Sequence, residues 1–528
     1  MDKRLLTLVC LAWAVSLRGG TLDTIGVTVL RQVDPTLTGT GVRVAQPEAG
    51  YDLGTNWEVN PNAGGVGQPV SLFTYISSGG STNSFPNSLS SESGHADGVA
   101  GNFYGIPSGV ATNLAHVDNY DADYFYNSNV AAPILSDIND AVANQSFIFC
   151  NADYSHLALS DEESVDTQYD DYAAQYNTLF VSGAGNGGPT NQARVYPAAT
   201  CYNGLGVAAY GGSSCIGPTL DNGRCKPDIT APAGVTSFST PLVAGAAAIL
   251  VQAASRGDGG ANTNAAGDLR TLKALLLNGA IKPNKPNPWT NGTASPLDAR
   301  YGAGVVNVFN SWAQLRGGQH ACITSTTNNS GGAHPPGANT NNEPTLSGWD
   351  YAAISTRATN DTVNHYFFDL PARETYTLTA TLVWNRQSGA SGINNLNLFL
   401  YNTANSNLVT CSTSLVDNVE HIYLPQLAAG RYDLQVLKQG SPSQISTSET
   451  YALAFEMFTM PLSVRLTNSE AVISWPVAPT GFQLQWAPGP SSLWTNVNNA
   501  VSVSGTQNVV SVTNNGTTQF FRLYRPAF

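Results

Sequence analysis

The stretch VTSFSTPLVAGAAAILV (235–251) decides how the rest of the chain is read. From Pro241 to Val251 it is apolar on every side, yet too short for a membrane span. A helix of that pattern belongs in the centre of a soluble domain, where Gly245 and the alanines allow close packing against a sheet. Thr236 and Ser237 stand at its start. Upstream, TLFVSGAGNGG (178–188) reads as a buried strand running into a glycine-rich turn. Before it, SVDTQYDDYAAQYN (164–177) places Val165, Tyr169, Tyr172, Ala173 and Tyr176 at helical spacing. GVRVAQPEAG (41–50) begins as a strand and breaks at Pro47. This alternation predicts an α/β domain built on a parallel sheet over residues 21–318.

Downstream the pattern changes. GGAHPPGANTNNEP (331–344) has linker composition, and the apolar period then drops to two. In TYTLTATLVW (375–384), Tyr376, Leu378, Ala380, Leu382 and Trp384 share one face, and threonines dominate the other. LNLFLYN (396–402), GRYDLQVL (430–437) and TYALAFEMF (450–458) repeat the alternation. They predict a jelly-roll-like β-sandwich over 319–460. VRLTNSEAVISWP (464–476), GFQLQWAP (481–488) and TQFFRLYRP (518–526) predict a small β module over 461–528.

Charged residues make up only 11% of the 528, and the net charge is -13. An acidic chain of this kind is no partner for nucleic acid, whose phosphates need a basic surface. Lys3 and Arg4 followed by an apolar run from Leu5 to Leu17 read as a signal peptide over 1–20. The protein is therefore expected outside the cell, soluble and without a membrane span. Cys10 falls in the signal, leaving Cys150, Cys201, Cys215, Cys225, Cys322 and Cys411. An even number in an exported chain suggests disulfides, with Cys215–Cys225 the best local pair and free buried thiols the alternative.

Four segments, in order, resemble the subtilisin-like serine peptidases. VRVAQPEAG (42–50) is similar to the family's V-A-V-x-D-T-G and puts Glu48 at its aspartate position; Asp52, four residues on, is the competing carboxylate. HADGVAG (95–101) is similar to H-G-T-H-V-A-G and makes His95 the histidine. SGAGNGG (182–188) is similar to A-A-G-N-x-G, with Asn186 at the oxyanion position. VTSFSTPLVAG (235–245) is similar to G-T-S-M-A-S-P-H-V-A-G and makes Ser237 the nucleophile, although Val235 and Phe238 depart from the pattern. GVATNLAHV (109–117), NQSFIF (144–149), KPDITAP (226–232) and YGAGVVNV (301–308) are weaker matches in the right order.

The resemblance covers roughly 38–316 and implies a subtilisin-like parallel-sheet catalytic domain, followed by two all-β modules. It implies a secreted, monomeric endopeptidase acting on proteins or peptides through a Glu48–His95–Ser237 triad, an acyl-enzyme and an Asn186 oxyanion donor. A substrate strand would pair near Ser146 and Gly183. No cofactor is needed for the chemistry. Structural Ca²⁺ occurs in such folds, for which Asp121, Asp123, Asp161, Glu162 and Glu163 are candidate oxygen sources, but no loop has a recognisable ligand spacing and solvated surface is the preferred reading. The stretch between signal and first strand is shorter than the inhibitory pro-domain most exported members carry. Taken singly, Ser237 reads as a helix cap, Asn186 as a turn residue and His95 as structural. The rival function is a catalytically inert fold acting as a binding or adhesive protein through its β modules.

Overall fold

The computed structural model describes residues 20–524 except 50–55, 84, 86–91, 149–158, 188–193, 285, 328–343, 357–360, 442–443, 468, 506 and 515. The signal segment to residue 19, Asp52, Cys150 and most of the linker therefore lie outside the described residues.

The α/β domain is organised on an eight-stranded sheet. Its strands are β1 (Arg43–Glu48), β2 (Phe73–Ile76), β3 (Thr82–Asn83), β4 (His116–Asp121), β5 (Val142–Gln145), β6 (Leu179–Gly183), β7 (Leu205–Tyr210) and β8 (Ile229–Pro232). They lie in the order β3-β2-β4-β1-β5-β6-β7-β8. Only β3 runs antiparallel, at the edge; the other seven form the parallel sheet that the strand–helix alternation implies. The helices are α1 (Thr21–Thr24), α2 (Val27–Val33), α3 (Gly94–Phe103), α4 (Ala122–Phe125), α5 (Leu159–Tyr176), α6 (Thr236–Ser255), α7 (Thr263–Ala266), α8 (Leu269–Asn278) and α9 (Val308–Arg316).

Helix α6 is the axis of this domain. It is long and apolar enough to cross a membrane, but 83% of its most apolar window is buried inside the protein. Its small residues are what admit that burial: a Cβ at Gly245 would stand 2.5 Å from Cβ of Val110. In α5, Val165, Tyr169, Tyr172 and Ala173 face the core as their spacing predicts. The flank beside that face is also covered, because Asp166 and Asp170 are buried against Arg224, Thr200 and Asn203.

One local expectation is corrected. Strand β1 does not break at Pro47 but continues through it to Glu48. The reason is one-sided pairing. β1 pairs with β4 along its length, whereas β5 reaches only Val44 and Ala45, so Pro47 lies beyond the β5 ladder.

The following region is one seven-stranded antiparallel sheet: β9 (Ile323–Thr327), β10 (Ser347–Ser355), β11 (Asp361–Trp384), β12 (Leu396–Asn402), β13 (Asn407–Ser412), β14 (Val419–Lys438) and β15 (Ser448–Phe458). The long β11 and β14 shift register near Leu370 and Tyr376, and residues from both halves of β11 share a single core. The predicted face of Tyr376, Leu378, Ala380, Leu382 and Trp384 lines that core. On the other face Thr379 and Thr381 are buried. The hydroxyls of Thr379 and Thr381 reach Oδ1 of Asn278 on α8 at 2.9 and 3.0 Å. Val383, Ala452 and Ala454 join the core of the α/β domain. The C-terminal residues form a four-stranded and a three-stranded sheet around Ile473, Trp475, Leu484 and Val510.

The expected Cys215–Cys225 disulfide is not formed, and no other disulfide joins the described cysteines. Cys215 is buried with Ala184, Val195 and Ala199, where its sulfur accepts the Gly187 N–H. The N–H of Cys225 instead donates to Asp417 of the β-rich region at 2.7 Å. Backbone bonding between Thr219 and Arg224, at 3.1 Å, closes the intervening loop without a bridge.

Because α6 can approach Val110 only without a side chain, Gly245→Val is expected to overpack the core and cost about 1–3 kcal/mol. Thermal unfolding of the variant beside the parent checks this; an unchanged midpoint would mean that the contact is not limiting.

Candidate active site

Three separate pieces of chain build the site. Strand β1 delivers Glu48 at its carboxyl end, where the side chain is only 1% exposed. Helix α3 begins beside it, with the Ser93 hydroxyl accepting the Ala96 N–H and His95 in the first turn. His95 Nδ1 lies 2.9 Å from Glu48 Oε2. The other carboxylate oxygen accepts from Gln46 Nε2 at 2.9 Å. Gln46 is itself held, donating to Ala96 O at 3.1 Å and accepting from the Tyr104 hydroxyl. The extra methylene of glutamate is thus pinned from both sides. Burial alone would lower the His95 pKa, but the hydrogen bond and charge of Glu48 outweigh it, and the net shift is upward from the ordinary histidine value.

Helix α6 supplies the third piece. Ser237 is in its first turn and half-buried. The next residue, Phe238, stacks on the His95 ring, with centroids 6.0 Å apart and planes at 27°. Space for that ring comes from Gly98, where a Cβ would lie 2.8 Å from Phe238 Cε1. Phe238 therefore holds the start of α6 against α3. Among the described residues the Ser237 hydroxyl has no hydrogen-bond partner. Such looseness is common in unliganded serine hydrolases.

Asn186 follows β6 after a turn in which Gly185 takes φ +100°. Its Oδ1 accepts both the N–H and the hydroxyl of Thr236, each at 2.8 Å. That pair fixes the amide plane and leaves Nδ2 as the outward donor, without a partner among the described residues. Val235, at the N-cap of α6, has no side-chain group to cap the first turn. The N–H of Ser237 is likewise left without a partner among the described residues, at the positive end of a buried helix. Two N–H donors and a hydroxyl are gathered here beside an imidazole backed by a carboxylate. That set can activate an oxygen nucleophile and stabilise a developing oxyanion.

The remaining predicted residues sit close by in the fold but inward. Ser146 follows β5, is 4% exposed and accepts from Asn144 Nδ2 at 3.0 Å. Gly183 ends β6 beneath Thr236 and Thr240, so only its backbone is presented. Asp121 caps α4 through the N–H groups of Asp123 and Tyr124, and Glu162 pairs with Arg194. The side chain of Asp161 lies outside the described residues. Among those described, no group of three His, Cys, Asp or Glu side chains is placed to hold a metal. Gln46, Tyr104 and Thr236 were not singled out by the motifs. Gln46 had a signal: it lies two residues before Glu48, on the same face of the strand.

Residues 74–304 match the family model Peptidase_S8, the subtilase family; the span contains His95, Asn186 and Ser237, and Glu48 precedes it. Solved structures similar to this chain include the prenylagaramide maturation protease PagA, at 18% identity over 56% of this chain and 99% of that one, TM-score 0.34. A protease from Pseudoalteromonas arctica is 18% identical over 57% of this chain and 96% of that one, TM-score 0.35. Pseudomonas sedolisin, a serine-carboxyl proteinase, is 17% identical over 55% and 97%, TM-score 0.39. No curated protein matches the chain. The segment similar to the subtilase family, residues 74–304, lies within the α/β domain built on the parallel sheet.

Proposed function

We propose that the protein is a secreted serine endopeptidase in which Glu48, His95 and Ser237 form the catalytic triad and Asn186 supplies an oxyanion donor. The observation that carries this reading is the 2.9 Å contact of His95 with buried Glu48, with the first turn of α6 stacked against the same imidazole through Phe238. With Nδ1–H given to Glu48, Nε2 is left to take the Ser237 proton as Oγ attacks the scissile carbonyl. Glu48 stabilises the imidazolium that forms. The oxyanion is met by Asn186 Nδ2 and the Ser237 N–H. The imidazolium then gives its proton to the leaving amine as the C–N bond breaks. Water hydrolyses the acyl-Ser237 by the same transfers in reverse order.

The substrate is read as an extended peptide lying along the ends of β5 and β6, near Ser146 and Gly183. Export rests on the basic and apolar residues between Lys3 and Leu17. The chemistry calls for no cofactor.

Two outcomes test the assignment. Ser237→Ala or His95→Ala is expected to abolish casein hydrolysis without altering the circular dichroism spectrum; an alanine variant as active as the parent would sink it. The pH profile tests Glu48. Hydrolysis needs neutral His95, whose pKa is shifted upward by Glu48, so kcat/KM should rise through an apparent pKa above the ordinary value of about 6.5. Glu48→Gln removes the raising charge, so the acidic limb should move to lower pH while kcat falls by orders of magnitude. An unmoved limb in the Gln variant would assign the carboxylate to another residue.

A further inference from the structure

The seven-stranded sheet carries a second Ser–His–Asp row, far in sequence from the first. Ser325 lies on β9, His365 on β11 and Asp433 on β14. Ser325 is directly opposite Val363 and Asp433 is directly opposite Phe367, so the two flank His365 diagonally from either side. Ser325 Oγ stands 2.6 Å from His365 Nε2. Asp433 Oδ2 stands 2.9 Å from His365 Nδ1 and also accepts Gln435 Nε2 at 2.7 Å. A carboxylate at Nδ1 selects the tautomer with its proton there, which leaves Nε2 as the base facing the serine.

Burial separates this row from an ordinary polar ladder. The side chains of His365 and Asp433 are 3% and 0% exposed, and Phe367 lies flat beside the imidazole at 5.8 Å. Ser325, the end of the relay where a nucleophile is needed, is exposed, as are its neighbours Thr324 and Thr326. Among the described residues β9 pairs with β11 alone, so backbone N–H groups on its outer edge are available to an oxyanion.

We propose that Ser325, His365 and Asp433 form a second acyl-transfer site, acting on small carboxylic esters. Ser325 is exposed, so a small ester needs no preformed pocket to bring its carbonyl to Oγ. In the first step Oγ bonds to the ester carbonyl carbon and its proton passes to His365 Nε2. The carbon–oxygen bond to the alcohol then breaks, and the alcohol leaves with that proton. In the second step water attacks acyl-Ser325, releases the carboxylic acid and restores the serine proton through His365. Nothing in this relay depends on the Glu48 site.

The test uses the full chain carrying Ser237→Ala, so that the first site is silent. Treated with a fluorophosphonate probe, it should be modified at Ser325 on peptide mapping, and it should hydrolyse p-nitrophenyl acetate. Adding Ser325→Ala, an exposed change that removes no core volume, should abolish the adduct and lower ester hydrolysis at least tenfold. Asp433→Asn should slow labelling by a similar factor. An unmodified Ser325 in the Ser237→Ala protein, or ester hydrolysis unaffected by Ser325→Ala, would overturn the proposal.

Discussion

Burial of an apolar helix against a parallel sheet is the constraint on which the rest of the molecule depends. Helix α6 buries sixteen residues between Thr236 and Ala254, with Gly245 where Val110 crosses closely. A helix fixed that firmly cannot adjust its first turn without disturbing the core. The groups at its start are therefore held in place by packing elsewhere: Thr236 clamps Asn186, Phe238 lies on His95, and Ser237 stands between them.

The second fixed point is the carboxyl end of β1. A glutamate has one more rotatable bond than the aspartate of the family pattern, and an unsupported one would lose entropy on meeting the imidazole. Gln46 and Tyr104 remove that freedom in advance. The chain Tyr104–Gln46–Glu48–His95 crosses from α3's end to β1 and back to α3's start, so strand and helix are tied at the same place where the chemistry is proposed. Each member satisfies the next, which is what makes a fully buried carboxylate tolerable.

Much of this was legible in the sequence, for reasons that can be named. Apolar periodicity read α5, β6 and α6 correctly because those elements bury the faces that spacing predicts. The ordered motifs pointed to Glu48, His95, Asn186 and Ser237, which stand at or beside the ends of elements with strong patterns, and Glu48 and His95 are in contact. Readings that depended on partners remote in sequence went astray. Pro47 ended the strand on paper, but strand pairing on one side only lets it continue. Cys215 and Cys225 were close in sequence, yet one sits with Ala184, Val195 and Ala199 while the other is tied to Asp417. The threonine face of β11 was legible as a face, but its docking on Asn278 was not. Alternation tells which residues share a face but not what that face meets.

The β-rich region is accordingly part of the same packed body as the α/β domain, with polar side chains such as Asn203, Arg386 and Asn418 bridging the two. The central claim remains that the Glu48–His95 pair works on Ser237. The most direct measurement is peptide mapping of the parent protein after reaction with a fluorophosphonate, compared with Glu48→Gln. The account predicts a stoichiometric adduct on Ser237 that forms far more slowly in the Gln variant. An unmodified Ser237 in the folded parent, or equal labelling rates in the two proteins, would contradict it.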